Sequence, residues 1–265
     1  MQIIVLGDGM LGTYVYRYLK NKKHYVFNYN RLNFDINNLE NYFDYKQFIL
    51  INCIGLIPQR SSGFSKYDYI NVNTVLPHKL QEICEKTDSK LIHVTTDCVF
   101  SGARGCYSEK STHDCLDVYG KTKSLGEPEN ATVIRTSLIG EELQNKKSLM
   151  EWLKANKNGE VKGFINHYWN GITCLQFAKI CHEIISKDLF WKGVKHISTL
   201  PDVSKLVLLK MISDIYELNV NIKVHKTELN CIRTIVSVRK DIDFDIPTLK
   251  DQIIEQRDFG RSIFD

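Results

Sequence analysis

The sequence predicts an α/β fold: a doubly wound parallel sheet with helices on both faces and a small interwoven C-terminal lobe. Three observations predict it. Apolar strand patterns alternate with helical ones through the first two thirds of the chain. The first strand runs into a glycine pattern that opens a helix. The length, 265 residues, is enough for one large core, or one core and a smaller lobe, without covalent staples.

The elements follow in order. QIIVLG reads as a buried first strand and Met10 to Leu19 as its helix. HYVFNYN is the second strand and FILINCIG the third. Tyr69 to Lys86 is helical, with Ile70, Val72, Val75, Leu76 and Leu80 forming an apolar stripe. KLIHVTT is the fourth strand, Leu116 to Gly126 a helix, and ATVIRTS the fifth strand. After Gly140 the pattern loosens. A short helix is expected over Leu149 to Ala155 and a longer one over Leu175 to Ile185, then a late strand, GVKHIST. Ser204 to Tyr216 is amphipathic, and Pro247 to Glu255 forms a last helix.

Composition narrows the class. Hydrophobic residues make 43% and charged residues 25%, average for a globular protein, so disordered, collagen-like and coiled-coil chains are excluded. No apolar run approaches the ~18 residues of a membrane span, and the N-terminus lacks the basic start and cleavage site of a signal peptide. The net charge is +4 with no basic stripe interleaved with aromatics, so neither a membrane nor a nucleic acid is expected as partner. Eight cysteines without a C-x-x-C pair read as reduced, mostly buried thiols of a cytoplasmic protein. Their spacing offers no metal site.

Gly7-Asp8-Gly9-Met10-Leu11-Gly12 sits at the first strand-to-helix turn, where G-x-G-x-x-G signals a Rossmann-type dinucleotide site. Gly7 permits the tight turn, Gly9 lets a pyrophosphate approach the backbone, and Gly12 lets the helix pack closely. The free N–H groups and helix dipole favour phosphate charge. The end of the second strand, Asn28-Tyr29-Asn30-Arg31, has no acid to hold a ribose 2′-hydroxyl. Arg31 there would accommodate a 2′-phosphate, so NADP(H) is favoured over NAD(H). The plainer reading of Arg31 is a solvated cation. Asp35, farther along, is better placed for adenine.

Tyr119 and Lys123 form a Y-x-x-x-K pair whose spacing puts both on one helix face. A tyrosine starts near pKa 10 and needs a cation to work near neutrality; about 3 pH units correspond to about 4 kcal/mol. Thr96, at the carboxyl end of the fourth strand, is placed to hydrogen-bond a substrate carbonyl.

These segments together resemble the extended short-chain dehydrogenase/reductases, and among them the dTDP-4-dehydrorhamnose reductase (RmlD-like) sugar-nucleotide reductases. VTTDCVFSG is similar to their S-T-D-x-V-F-x-G, VYGKTKSLGE to V-Y-G-x-S-K-x-x-G-E, VIRTSLIG to L-R-T-S-x-x-x-G, and INVNTVLPHKL to the helix bearing an Asn, here Asn73. WNGIT resembles a substrate-lobe segment. The resemblance implies a triad of Thr96, Tyr119 and Lys123. It implies further that Cys53, Ile54, Gly55, Asn73, Thr95, Arg135 and Thr136 line the cofactor with Gly7, Gly9, Met10, Leu11 and Gly12. Val99, Phe100, Asn166, His167, Trp169 and Asn170 become substrate candidates, with core packing the alternative for Trp169. Residues 1–142, continued by about 168–200, would bind NADP, and 143–167 with 201–265 would form the substrate lobe.

Some positions depart from the family. The phosphate loop is one residue shorter than G-x-x-G-x-x-G, and Leu138 stands where an aromatic is usual. Cys98 replaces a Tyr. In GDP-fucose synthases a Cys at this offset is an acid-base group paired with a His, which makes Cys98 a candidate 3-epimerase residue with His167 as candidate partner. The alternative is a small pocket-lining residue. The implied activity is NADPH-dependent reduction of a nucleotide-linked 4-keto-6-deoxyhexose, of rhamnose or 2-acetamido-2,6-dideoxy type, by a homodimer. The competing reading is a catalytically silent NADP-binding subunit resembling the regulatory subunit of methionine adenosyltransferase.

Overall fold

The computed structural model describes residues 1–30, 32–36, 38–43, 47–60, 63–144 and 146–264. Its centre is a six-stranded sheet, parallel throughout. β1 (Gln2–Leu6) leads through α1 (Met10–Asn21) to β2 (Val26–Tyr29), and β3 (Phe48–Asn52) follows. The helical stretch after it divides into α2 (Lys66–Ile70), a π-helical turn (Asn71–Val75) and α3 (Leu76–Lys86). Next come β4 (Lys90–Thr96), α4 (Val118–Leu125) and β5 (Thr132–Thr136). The short β6 (Leu138–Ile139) precedes α5 (Leu149–Ala155), β7 (Glu160–Phe164), β8 (His167–Trp169) and β9 (Ile172–Thr173). The chain continues through α6 (Cys174–Ser186), β10 (Gly193–His196), β11 (Val203–Ser204), α7 (Lys205–Ile215), β12 (Asn221–His225), β13 (Cys231–Ile232) and α8 (Leu249–Phe264).

The strand order in space is β10-β5-β4-β3-β1-β2. Strand β2 lies on one side of β1 and β3 on the other, so the winding reverses between β1 and β3. A crevice opens beyond the carboxyl ends of strands at such a point. Burial on both faces explains the unbroken apolar runs. Ile3 and Val5 of β1 enter one core with Tyr14, Val15, Leu19, Phe177 and Ile184, while Ile4 and Leu6 enter the other with Leu76, Leu80 and Val133. Each such side chain, fully withdrawn from water, contributes roughly 1.5–3 kcal/mol. Between β2 and β3 the second face is covered by Phe34, Leu39 and Phe43 rather than by an α-helix, with Phe43 stacked on Phe48 at 5.5 Å.

A third core holds Met150 and Leu153 of α5, Val161 of β7, Leu208, Leu209 and Ile212 of α7, and Leu249 and Ile253 of α8. α8 runs on to Phe264, nine residues beyond the expected end, and its Phe259 and Ile263 pack against the first core. The extension is stabilised by buried glutamines: Gln252 and Gln256 accept from the backbone N–H groups of Thr173 and Leu175 at the start of α6. Among the described residues no helix is long and apolar enough to cross a membrane.

Candidate active site

The carboxyl ends of the central strands open into a cavity of about 670 Å3. The first strand-helix turn supplies Gly9, Met10 and Leu11 to its wall, and the loop after β3 supplies Cys53, Ile54 and Gly55. The turn is tightly built. Gly7 sits at φ +99°, and a Cβ on Gly12 would stand 2.1 Å from the Gly7 carbonyl oxygen. Asn28 staples the turn to the sheet, its Nδ2 donating to the carbonyls of Val5 and Gly7. Gly9 caps α1 without a side chain, which leaves the first-turn N–H groups free of a side-chain acceptor. Arg31 lies outside the described residues. The carboxylate of Asp35 accepts from Asn38 Nδ2 and does not line the cavity.

Thr96, Cys98, Tyr119 and Lys123 meet in the same cavity. β4 delivers Thr96, whose hydroxyl donates to Asp97 Oδ1 at 3.1 Å, accepts from the Cys98 N–H and reaches the Tyr119 phenol. α4 is started by Asp117, which accepts from the Gly120 N–H at 2.8 Å, and it puts Tyr119 and Lys123 one turn apart on the cavity side. Lys123 donates to the Val94 carbonyl at 2.8 Å. Burial lowers its ammonium to about 8, with the Glu127 carboxylate opposing that shift. Burial, and then the neighbouring Cys98 and Asp97, push the Tyr119 phenol well above its ordinary value, so it is protonated at neutral pH. Burial and Asp97 push the Cys98 thiol up to about 12, and burial does the same to Cys53.

Thr95, Thr136 and Trp169 also line the cavity. Trp169 is at once wall and core: only 4% exposed, it donates from Nε1 to Ser137 Oγ at 2.8 Å. Several expected residues do not reach the cavity. Arg135, expected at the cofactor, is 1% exposed and locked between Glu127, at 2.5 Å, and the Nε2 atoms of His113 and His196, each at 2.8 Å. Its guanidinium lies over the Phe100 ring. Asn73 is fully buried and clamps the loop after β3, accepting from Leu56 N and donating to Leu56 O. Val99 and Phe100, expected on substrate, form a small core with Tyr107 and Ile235.

Asn166, His167 and Asn170 hold down the segment after β12 instead. Asn166 Nδ2 donates to Thr227 O, His167 Nε2 pairs with Thr227 Oγ1 at 2.8 Å, and Asn170 bonds both backbone groups of Ile235. The cavity wall also contains six charged residues that motif reading missed: Asp97, Asp117, Glu142, Lys147, Lys205 and Arg233. Asp97 lay inside a quoted motif. Lys205 opens an ordinary amphipathic helix and Arg233 follows a two-residue strand, so neither carried a signal.

Comparison with known proteins agrees with this architecture. Residues 1–235 match the model of the RmlD substrate binding domain. A dTDP-4-keto-6-deoxy-D-glucose reductase of Streptomyces niveus is 26% identical over 98 residues, 34% of each chain, so that match spans about a third of the relative. A dTDP-4-dehydrorhamnose reductase of Aggregatibacter actinomycetemcomitans is 26% identical over 219 residues, 76% of this chain and 74% of that one. The crystal structure of dTDP-4-dehydrorhamnose reductase from Bacillus anthracis in complex with NADP superposes with a TM-score of 0.80 at 18% identity, covering 97% of this chain and 99% of that one. The family match takes in the glycine turn, the Thr96–Lys123 segment and Arg233, which follows β13. On that span the chain belongs to the RmlD substrate-binding-domain family.

Proposed function

We propose that the protein is an NADPH-dependent reductase of the C4 ketone of a nucleotide-linked 4-keto-6-deoxyhexose, of rhamnose or 2-acetamido-2,6-dideoxy type. One observation carries the reading: Thr96, Tyr119 and Lys123 share a cavity with the glycine turn at the start of α1. The turn fits a dinucleotide, because Gly7 holds φ +99°, a Cβ on Gly12 would strike the Gly7 carbonyl, and no side chain caps the first N–H groups of α1. No carboxylate follows Asn28 and Tyr29 at the end of β2, which suits a 2′-phosphate. The names of the two reductase relatives and the NADP complex of a third support the same reaction class.

NADPH, when bound, supplies the hydride. The chain's own part is proton delivery and positioning. Tyr119, held protonated by burial, donates its proton to the oxygen that becomes the C4 hydroxyl. Thr96 holds that oxygen through its hydroxyl. Lys123, anchored at Val94 and one helical turn from Tyr119 in the same cavity wall, supplies the positive charge that makes proton release easier. The reading stops at reduction. Burial and Asp97 push the Cys98 thiol up to about 12, and His167 Nε2 pairs with Thr227 Oγ1.

The test is NADPH oxidation by the purified protein against dTDP- and UDP-linked 4-keto-6-deoxyglucose and the UDP-linked acetamido 4-keto sugar, each with and without an added 3,5-epimerase. Turnover on one member is expected. Tyr119→Phe should lower kcat by at least about 100-fold and leave NADPH affinity unchanged. Tight NADPH binding with no turnover on any member would replace this reading with the silent regulatory subunit.

A further inference from the structure

Thr96 has a single hydroxyl proton, and the fold has already placed it. The side chain caps a 3-10 turn (Asp97–Val99) by accepting from the Cys98 N–H at 3.1 Å. Its proton goes to Asp97 Oδ1, also at 3.1 Å. A hydroxyl offers one donor and two acceptor positions. With the proton on Asp97, Thr96 meets the Tyr119 phenol only as an acceptor. The chain from Tyr119 through Thr96 to Asp97 therefore occupies both of the protons that a ketone oxygen in this cavity would need.

Reduction as proposed above has Thr96 donate to the C4 oxygen, and one threonine cannot donate to that oxygen and to Asp97 at once. Asp97 then needs another donor, because it is only 6% exposed and a buried charged acceptor is expensive to leave unpaired. The protein offers little in exchange. The Cys98 thiol, a weak donor, already donates to the same Oδ1 at 3.6 Å. Lys205 and Arg233 stand in the same wall, yet neither makes an ion pair with Asp97 within 4.0 Å among the described residues. Asp97 Oδ2 has no hydrogen-bond partner among the described residues, and it is not one of the sealed side-chain atoms without partners, which are His93 Nε2, Gln176 Oε1 and Arg233 Nε. A carboxylate oxygen is thus open to the cavity one residue beyond Thr96. Burial raises this carboxyl above its ordinary value, while the charges of Lys205 and Arg233 and the Thr96 and Cys98 donors favour the ionised, accepting form.

The substrate can supply the missing donor. In a 4-keto-6-deoxyhexopyranose, C5 carries the methyl group and the ring oxygen, so the only hydroxyl on a carbon next to the ketone is at C3. The oxygens of C3 and C4 lie side by side on the sugar, as Asp97 and Thr96 lie side by side in the wall. We infer that Asp97 is a specificity-determining acceptor for the C3 hydroxyl, whose arrival frees the Thr96 proton for the C4 oxygen. The inference rests on the 4-ketoreductase reading above. It makes the grip of Thr96 conditional on the neighbouring carbon: a ketone without a donor at C3 meets a threonine still turned to Asp97.

Steady-state kinetics on three substrates test this. They are the nucleotide-linked 4-keto-6-deoxy sugar that turns over fastest, its 3-deoxy counterpart and its 3-deoxy-3-fluoro counterpart. Fluorine keeps the electron withdrawal of a C3 oxygen but cannot donate a hydrogen bond. Wild type is expected to lose at least about 30-fold in kcat/KM on both analogues, because the site's acceptor then goes unmatched. In Asp97→Ala the parent sugar should lose most of that advantage, bringing all three substrates to within about threefold of one another. Asp97→Asn, a neutral acceptor of the same shape, should keep an intermediate preference. A merely structural role for Asp97 would lower all three rates together and preserve their ratio. NADP+ affinity reports on the fold, and Asp97→Asn is the variant to read if Asp97→Ala binds NADP+ poorly. Wild type that reduces both analogues within threefold of the parent would overturn the inference, as would folded Asp97 variants that keep the wild-type ratio. Reduction indifferent to C3 removes this inference alone; turnover of no hydroxylated 4-keto sugar removes the reductase reading and this inference with it.

Discussion

The buried Arg135 cluster makes the protein's acid stability a direct test of the assigned protonation states. His196 receives the Arg135 Nη1–H on Nε2 and directs Nδ1 at the carbonyls of Tyr107 and Val236. Both roles are filled only by the neutral ring protonated on Nδ1. Burial first, and the Arg135 charge second, lower this histidine to about 4, while an unfolded chain takes up the proton near 6.5. Between those values the unfolded state binds more protons than the native one, so stability rises with pH. The contribution is complete above 6.5 and is lost progressively as the pH falls through 4. At about 1.4 kcal/mol for each pH unit, the loss from His196 alone reaches about 2–3 kcal/mol at pH 4.5.

Urea unfolding at pH 7.5, 6.5, 5.5 and 4.5 measures this loss. His93 is fully buried and also lowered, so the wild-type decline includes more than one group. The comparison with His196→Gln isolates the residue. The variant should be less stable at pH 7.5, because the Arg135 donor loses its ring acceptor, yet its stability should fall less steeply between pH 6.5 and 4.5. The two curves should approach each other by about 2 kcal/mol over that interval. Parallel curves would refute the assignment, since they would mean that His196 takes up its proton equally in both states.

Two further outcomes follow from the site. Gly12→Ala should weaken NADPH binding by about 2 kcal/mol, roughly 30-fold in Kd by fluorescence titration, because its Cβ would have to displace the Gly7 carbonyl that shapes the phosphate turn. The pH profile of kcat/KM should fall as the pH rises through about 8, where the free protein's Lys123 gives up the charge that assists Tyr119; a flat profile to pH 9.5 would remove that role from Lys123.

Much of the nucleotide-binding half was legible in the sequence, because its signals are local. Strand β1 and the glycine turn are adjacent in sequence, and the spacing of Tyr119 and Lys123 becomes a shared helix face as soon as α4 forms. Helix α8 shows where such signals end. Gln252 and Gln256 flank Ile253 and Ile254 and break the apolar stripe, yet both are fully excluded from solvent because they cap α6, a helix some eighty residues earlier. The π-helical turn at Asn71–Val75 was equally silent, since it arises where Asn73 must reach back to Leu56. Strands of two or three residues, such as β6, β9, β11 and β13, are too short for any periodicity to register.

The residues that resemblance assigned to ligands and the structure placed elsewhere share one feature. Arg135, Asn73, Asn166 and Asn170 are polar, deeply buried and fully occupied with protein partners. A motif records that a polar side chain is required at a position, and a buried scaffold needs such side chains as much as a binding site does. Hydrogen-bond completeness separates the two cases. The scaffold residues have partners for the groups they bury, and losing one would cost about 1–3 kcal/mol in stability with no change in ligand preference. Arg233 has a buried Nε without a partner, and Lys205 stands over an aromatic ring with no ion pair among the described residues. Such incompleteness is costly to an isolated fold and is relieved by a ligand. Incompleteness is not confined to the cavity, since His93 Nε2 and Gln176 Oε1 are also buried without a partner, so it points to a ligand only where the group also stands in the cavity wall, as Arg233 does.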